Sequence, residues 1–312
     1  MVGIGNLHTS GWFAKYPLAW TDLEDGLPLV PDEILDTVVY LYPDHDSAKA
    51  GERAGGSGFV VVVPVQQDPM MGFMYIVTNS HVIREGKAFA IRVNTRDGGM
   101  GIIDLTEKGW IYHRDGDDIA ILPINLEHAH IKAKGIPIDW FATKEYMERY
   151  KIGPGDETFL VGRFVNHEGK QRNLPSVRFG NLSMLPHEPV RTPRGLLQEV
   201  FLVECRSLPG YSGSPVFIAP LPLSAFRNET PPTKLLGIDM GHLLDDAPVL
   251  SRKALAQQKK VAINDDWVVK SNTGMSCVIP AWKIQELIDE DELVESRKKH
   301  IEKFEKQEMD LR

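Results

Sequence analysis

The stretch Leu208-Pro209-Gly210-Tyr211-Ser212-Gly213-Ser214-Pro215-Val216-Phe217 decides how the rest of the chain reads. A serine stands between two glycines, with a proline shortly after it and β-forming apolar runs at 199–205 and 216–219 on either side. That pattern is strand, tight loop, strand. Glycines at 210 and 213 admit backbone conformations closed to other residues, so neighbouring amide N–H groups can converge on one point. Converging amides beside a hydroxyl suit acyl transfer, because the carbonyl oxygen gains negative charge in the transition state. Loops of this composition are commonly plain turns, so the reading depends on partners elsewhere in the chain.

Two such partners follow from the same kind of pattern. Tyr75-Ile76-Val77-Thr78-Asn79-Ser80-His81-Val82-Ile83 is a strand-like run that carries a histidine at its end, and Asp117-Asp118-Ile119-Ala120-Ile121-Leu122 puts an acid at the mouth of another. A serine needs a base to take its proton, and the imidazole needs a carboxylate to fix its tautomer and stabilise its cation. His81, Asp118 and Ser212 fill these roles, with Asp117 as the alternative acid and His113 as the rival base. The frame Gly-x-Ser-Gly-x-Pro selects Ser212 over Ser214, with the amides of Gly210 and Ser212 as the oxyanion donors. Ser at position 214 excludes the Gly-x-Ser-x-Gly elbow, and the order His, Asp, Ser is that of chymotrypsin, not of subtilisin or the α/β-hydrolases.

These strings, with Gly56-Ser57-Gly58-Phe59-Val60, resemble the trypsin-like serine peptidases, and most closely their HtrA-like branch. Gly155-Asp156-Glu157-Thr158-Phe159-Leu160-Val161-Gly162 is similar to the opening strand of the second barrel there, and Gly274-Met275-Ser276-Cys277-Val278-Ile279-Pro280 to its closing strand, so the likeness runs from about residue 34 to 285. The resemblance implies an all-β fold of two Greek-key six-stranded barrels with a C-terminal helix. It implies a serine endopeptidase that forms an acyl-enzyme, acts on protein or peptide substrates and needs no cofactor. The chain then divides into an N-terminal arm (1–33), a first barrel (34–132) with His81 and Asp118, and a linker with a short helix (133–152). A second barrel (153–282) with Ser212 follows, interrupted by insertions at 221–233 and 244–266, and then a charged helix (283–312). That tail is too short for a PDZ domain. Arg206 stands six residues before Ser212, where relatives place the base of the specificity pocket, and a cation there would favour an acidic side chain. Gly237, Ile238 and Gly274 are pocket walls by the same resemblance. Tyr211 replaces the aspartate by which digestive relatives capture a newly cut N-terminus, so the oxyanion loop is expected to be set by other contacts.

Composition narrows the class further. The 312 residues are 42% apolar and 25% charged, enough for a sizeable core, and the net charge of −8 argues against nucleic acid or an anionic membrane surface as partner. Cys205 and Cys277 lie in apolar runs and read as buried free thiols, with a bridge left open. The first residues lack a basic segment and an apolar core, which reads as no signal peptide and a cytoplasmic protein, unlike many HtrA-like relatives. No HExxH or CxxC occurs, and His128 and His130 lack a third ligand, so no metal is expected. Short strands with turns between them indicate a barrel or sandwich, and the glycine run 55–58 reads as a turn without the GK[ST] of a phosphate loop. An alternative of another class is a protease-fold binding module whose triad is idle until a protein partner assembles it.

Overall fold

β-Branched and aromatic runs such as Val38–Tyr42 and Phe59–Val63 form strands in the first half. The structure is a computed structural model, and it describes residues 13–15, 30–52, 55–66, 68–126, 130–164, 169–205, 210–218, 232–249 and 267–310. Strands β1 (Phe13–Lys15), β2 (Val38–Tyr42), β3 (Gly56–Val65), β4 (Asp68–Thr78), β5 (Ala90–Asn94), β6 (Met100–Asp104), β7 (Ile111–Tyr112), β8 (Ala120–Pro123) and β9 (Ile136–Pro137) share one sheet. Helices α1 (Asp32–Leu35), α2 (His45–Ala50) and α3 (Ser80–Arg84) lie between them. After α4 (Lys144–Arg149) come β10 (Glu157–Gly162), β11 (Ser176–Met184), the hairpin β12 (Val190–Arg191) and β13 (Leu197–Gln198), β14 (Phe201–Glu204), β15 (Pro215–Ile218), β16 (Lys234–Pro248) and β17 (Val268–Pro280). Helices α5 (Ala281–Ile288) and α6 (Asp291–Asp310) complete the chain.

Of the two closed barrels expected, the described residues contain one. Strands β10-β11-β14-β17-β16-β15 close on themselves, whereas the first sheet runs β6-β5-β2-β3-β4-β8-β7 and leaves its two end strands without each other. The reason is local. A 3-10 turn at Glu107–Gly109 precedes β7, which keeps two residues and pairs with β8 alone. The sheet still curls, because Val39, Val60, Ile76, Ile91, Ile103 and Ala120, one from each of six strands, meet in a single buried cluster. Leu160, Leu182, Val203, Val216, Leu236 and Val278 do the same for the closed barrel.

Three further differences have physical causes. The N-terminal arm contributes a strand, since Phe13–Lys15 pairs with β4 from Phe73 to Met71. The glycine run at 55–58, read as a turn, opens β3 at Gly56, and the segment before it contains α2, capped by Asp44 accepting from the Ser47 amide (2.8 Å). Residues 244–248 are part of β16 and pair with 268–272 of β17, so this part of the expected insertion is a two-stranded ribbon growing out of the barrel. Residues 219–231 and 250–266, which hold most of both insertions, lie outside the described residues. Among the described residues no helix is long and apolar enough to cross a membrane.

The two halves meet on buried arginines. Arg92 of β5 donates from Nε to Asn173 Oδ1 (2.7 Å), from Nη2 to the Gly169 carbonyl (2.9 Å) and from Nη1 to the Ala48 carbonyl (3.2 Å), and it lies over the Tyr42 ring. Arg163, just beyond β10, stacks on the same Tyr42 from the other half. Burial of Arg92 is tolerable because each of its three nitrogens donates to an oxygen and its face is covered by a ring. Replacing Arg92 with Met should leave Asn173 and two carbonyls without donors and cost about 2–4 kcal/mol. Urea denaturation measures this, and a loss under about 0.5 kcal/mol would contradict the clamp.

Candidate active site

His81 sits on the short helix α3, directly after the strand that delivers it, and Asp118 lies on the loop before β8, the neighbour of β4. The pairing of β4 with β8, Thr78 opposite Ala120, therefore brings the two together. His81 Nδ1–H donates to Asp118 Oδ2 (2.5 Å), while Ser80 Oγ–H (2.6 Å) and the His81 amide (2.9 Å) donate to Oδ1. Asn79 Nδ2 holds the Asp118 carbonyl (2.9 Å), so three consecutive residues before and at the imidazole fix this one acid. Burial alone would raise the Asp118 carboxyl, but the hydrogen bond and charge of His81, with Ser80 and the His81 amide, outweigh it and hold the carboxyl below its ordinary value.

Asp117 has a different role. Its carboxylate lies 3.3 Å from His113 Nδ1, off the line of a hydrogen bond, and 3.7 Å from Lys283 Nζ of α5. Burial, only partly offset by His113 and Lys283, raises its pKa. The structure thus separates the acids that the sequence left in competition, with Asp118 on His81 and Asp117 on His113.

Ser212 is brought up from the second half by the turn at 210–214. Gly210 (φ +98) and Gly213 (φ +87) both take left-handed conformations. A Cβ at 213 would run into the Ser57 carbonyl and Thr78 Oγ1, so glycine is required there. The Ser57 amide donates to the Ser212 carbonyl (2.9 Å), Ser57 Oγ donates to the Gly210 carbonyl (3.0 Å), and the Gly213 amide donates to the Asp239 carbonyl (2.8 Å). Among the described residues the amides of Gly210 and Ser212 donate to no protein acceptor. Ser212 Oγ donates to the Met240 carbonyl (3.3 Å), and among the described residues no hydrogen bond joins it to His81. Tyr211, fully buried, is bound through its hydroxyl by Ser176 Oγ and by Arg178 Nε (2.8 Å), both on β11, so side chains of the same barrel hold this position of the turn.

The pocket residues disperse. Arg206 falls outside the described residues. Ile238 is fully buried in the main core, and a Cβ at Gly237 would strike the Ile279 carbonyl, so neither opens onto a described cavity. Gly274 (φ +84) lines a cavity of about 500 Å³ with Arg178, Asn181, Glu204 and Cys205. Both cysteines are free and buried, and burial followed by the Asp239 carboxylate pushes the Cys277 thiol up to about 12, which makes it inert. Two residues were missed in the sequence. Ser57 holds the turn that carries Ser212, and Arg194, on the β12–β13 hairpin, reaches Glu85 (2.5 Å) and lies 3.9 Å from Asp118 Oδ2. The turn signal Pro193-Arg194-Gly195 marked the hairpin but not its target.

Residues 56–219 match the family profile described as the trypsin-like peptidase domain. The chain belongs to this family. No curated protein matches it. Among solved structures, the apo protease domain of MamO from Magnetospirillum magneticum is 16% identical, with a TM-score of 0.49 over 81% of this chain and 96% of that one. Deg5 is 18% identical, with a TM-score of 0.41 over 67% of this chain and 81% of that one. The HtrA-type protease AlgW with decapeptide is 18% identical, with a TM-score of 0.40 over 76% of this chain and 52% of that one. Membership in the peptidase family supports a serine protease at the level of the family.

Substitution should separate the two acids. Asp118→Asn leaves the imidazole with the wrong tautomer partner and should slow turnover about 10⁴-fold, whereas Asp117→Asn should change it less than about threefold. Because the folded pKa of Asp118 lies below its ordinary 3.8, its contribution to stability is present above that value and is lost as pH falls through the folded value. The stability gap between wild type and Asp118→Asn, followed by denaturation at stepped pH, should therefore close on acidification below 3.8. A gap that persists or widens in acid would contradict the assignment.

Proposed function

We propose that this chain is a serine endopeptidase that hydrolyses protein or peptide substrates through Ser212, His81 and Asp118. The observation that carries the reading is the His81–Asp118 pair, in which a buried, depressed carboxylate accepts three donors and orients the imidazole through Nδ1. With Nδ1 committed, Nε2 is the nitrogen available to take the Ser212 proton. The Ser212 oxygen then attacks the scissile carbonyl, and the amides of Gly210 and Ser212 receive the negative charge. His81 returns the proton to the departing amine, leaving an acyl-enzyme. Water, deprotonated by the same nitrogen, attacks the ester, releases the acid and restores Ser212.

A second reading is favoured by one observation. The Ser212 hydroxyl rests on Met240 rather than on His81, and Arg194 stands beside the Asp118 oxygen that His81 uses. In this reading the fold serves as a binding module, or a protein partner completes the triad. Looseness at the nucleophile is common in unliganded proteases, so the peptidase reading leads. Hydrolysis of casein and of short amide substrates decides between them. Wild type should cleave, and Ser212→Ala or His81→Ala should each lose activity on the order of 10⁶-fold. Equal cleavage by Ser212→Ala would overturn the proposal, and a biological effect retained in Ser212→Ala would establish the binding module.

A further inference from the structure

We infer that the cavity between β11, β14 and β17 is a binding site for a carboxylate, and that its occupancy reaches the oxyanion loop through Arg178 and Tyr211. The second half of this statement rests on the function proposed above; the first does not. Arg178 is held in an unusual way for a surface arginine. Its guanidinium carbon lies 5.5 Å from the Phe164 ring centre and 5.0 Å from that of Tyr211, and its Nε donates to the Tyr211 hydroxyl. Beyond that bond, among the described residues it has no ion pair and no further hydrogen bond. The group is therefore oriented by two rings and by the hydroxyl that accepts from its Nε, while its terminal nitrogens are uncommitted. Arg178 also lines the cavity of about 500 Å³, together with Asn181, Glu204, Cys205 and Gly274.

A pre-oriented guanidinium with a free fork matches a planar anion by two parallel hydrogen bonds. Glu204 on the same wall selects among anions, because a nearby carboxylate repels a doubly charged phosphate more strongly than a singly charged carboxylate. Asn181 lines the same wall with its Nδ2 donating to the Gly155 carbonyl (3.3 Å), and the cavity has room for a residue or two of peptide. None of His81, Asp118 or residues 210–214 lines it, so it is distinct from the proposed catalytic residues. The link to them is short. Arg178 bonds Tyr211, which is fully buried and sits between the two amides proposed to receive the oxyanion. A carboxylate bound to the free fork leaves Nε on Tyr211 and fixes Arg178 more firmly, which should hold the 210–212 backbone in its donating conformation. The carboxylate is either the free end of a peptide or an acidic side chain.

The test uses the full chain and three peptide probes: Ala-Ala-Ala with a free C-terminus, the same peptide amidated, and amidated Ala-Glu-Ala. Binding is read by isothermal titration and by thermal shift, neither of which needs a working triad, and coupling by the rate of fluorophosphonate labelling. The free-acid peptide should bind and speed labelling while the plain amide does neither; binding by the Glu peptide would assign the carboxylate to a side chain. Arg178→Gln should weaken binding about tenfold or more, and Glu204→Gln should tighten it severalfold. The Glu204 variant, on an exposed wall, keeps the test decisive should Arg178→Gln unfold. Equal binding of acid and amide, or affinities unmoved by both substitutions, would overturn the site. Binding without a change in labelling rate would overturn the relay, and binding with no labelling in any form would overturn the catalytic reading while leaving the site standing.

Discussion

Ser57 joins the two halves of the molecule at the point where chemistry is proposed to occur. Its amide holds the Ser212 carbonyl and its hydroxyl holds the Gly210 carbonyl, 153 positions away in sequence. Its own carbonyl accepts from Thr78 Oγ1 (2.8 Å), and its hydroxyl accepts from the Arg163 amide (3.1 Å). One residue of β3 thus binds the turn that carries Ser212, the end of the strand that delivers His81, and the exit of β10. One of these bonds is between backbones and the other three use only the short hydroxyls of Ser57 and Thr78, so few torsions separate the partners and their positions are tightly fixed. The requirement for glycine at 213 follows directly, since the space a side chain would take is filled by Ser57 and Thr78.

Charge is distributed around the dyad with similar economy. Asp118 takes three donors and stays ionised, which is the state that stabilises an imidazolium. Its neighbour Asp117 is turned to a separate group of His113, Lys283 and Glu286 that ties the first sheet to α5. Two adjacent acids in one apolar pocket would raise each other's pKa; pointing them to different histidines avoids that cost. Arg194 brings a cation within 3.9 Å of Asp118, but Glu85 takes its Nη1, so the dyad faces a neutralised pair.

Much of this was legible in the sequence, for identifiable reasons. The Gly-x-Ser-Gly-x-Pro turn and the strand endings at His81 and Asp118 are local patterns whose chemistry is written in adjacent residues. The spacing of Ile284, Leu287 and Ile288 puts them on one face of α5, and that face is buried. What was not legible depends on distant contacts. Gly55-Gly56-Ser57-Gly58 read as a turn because nothing nearby explains a strand there. Position 56 in fact packs against Val82 and the Ser212 carbonyl, which leave no room for a side chain. The open first sheet depends on how few residues of β7 reach β8, and the extended ribbon on a register between β16 and β17 that pattern alone does not set. Arg194 carried no signal, since its partners lie some hundred positions away across the seam.

The central claim is that Ser212 is the activated nucleophile. It is tested most directly by treating the intact protein with diisopropyl fluorophosphate and mapping the adduct by peptide mass spectrometry. The account predicts one adduct, on the peptide containing Ser212, and none after His81→Ala. An adduct on another serine, or equal modification with and without His81, would contradict it.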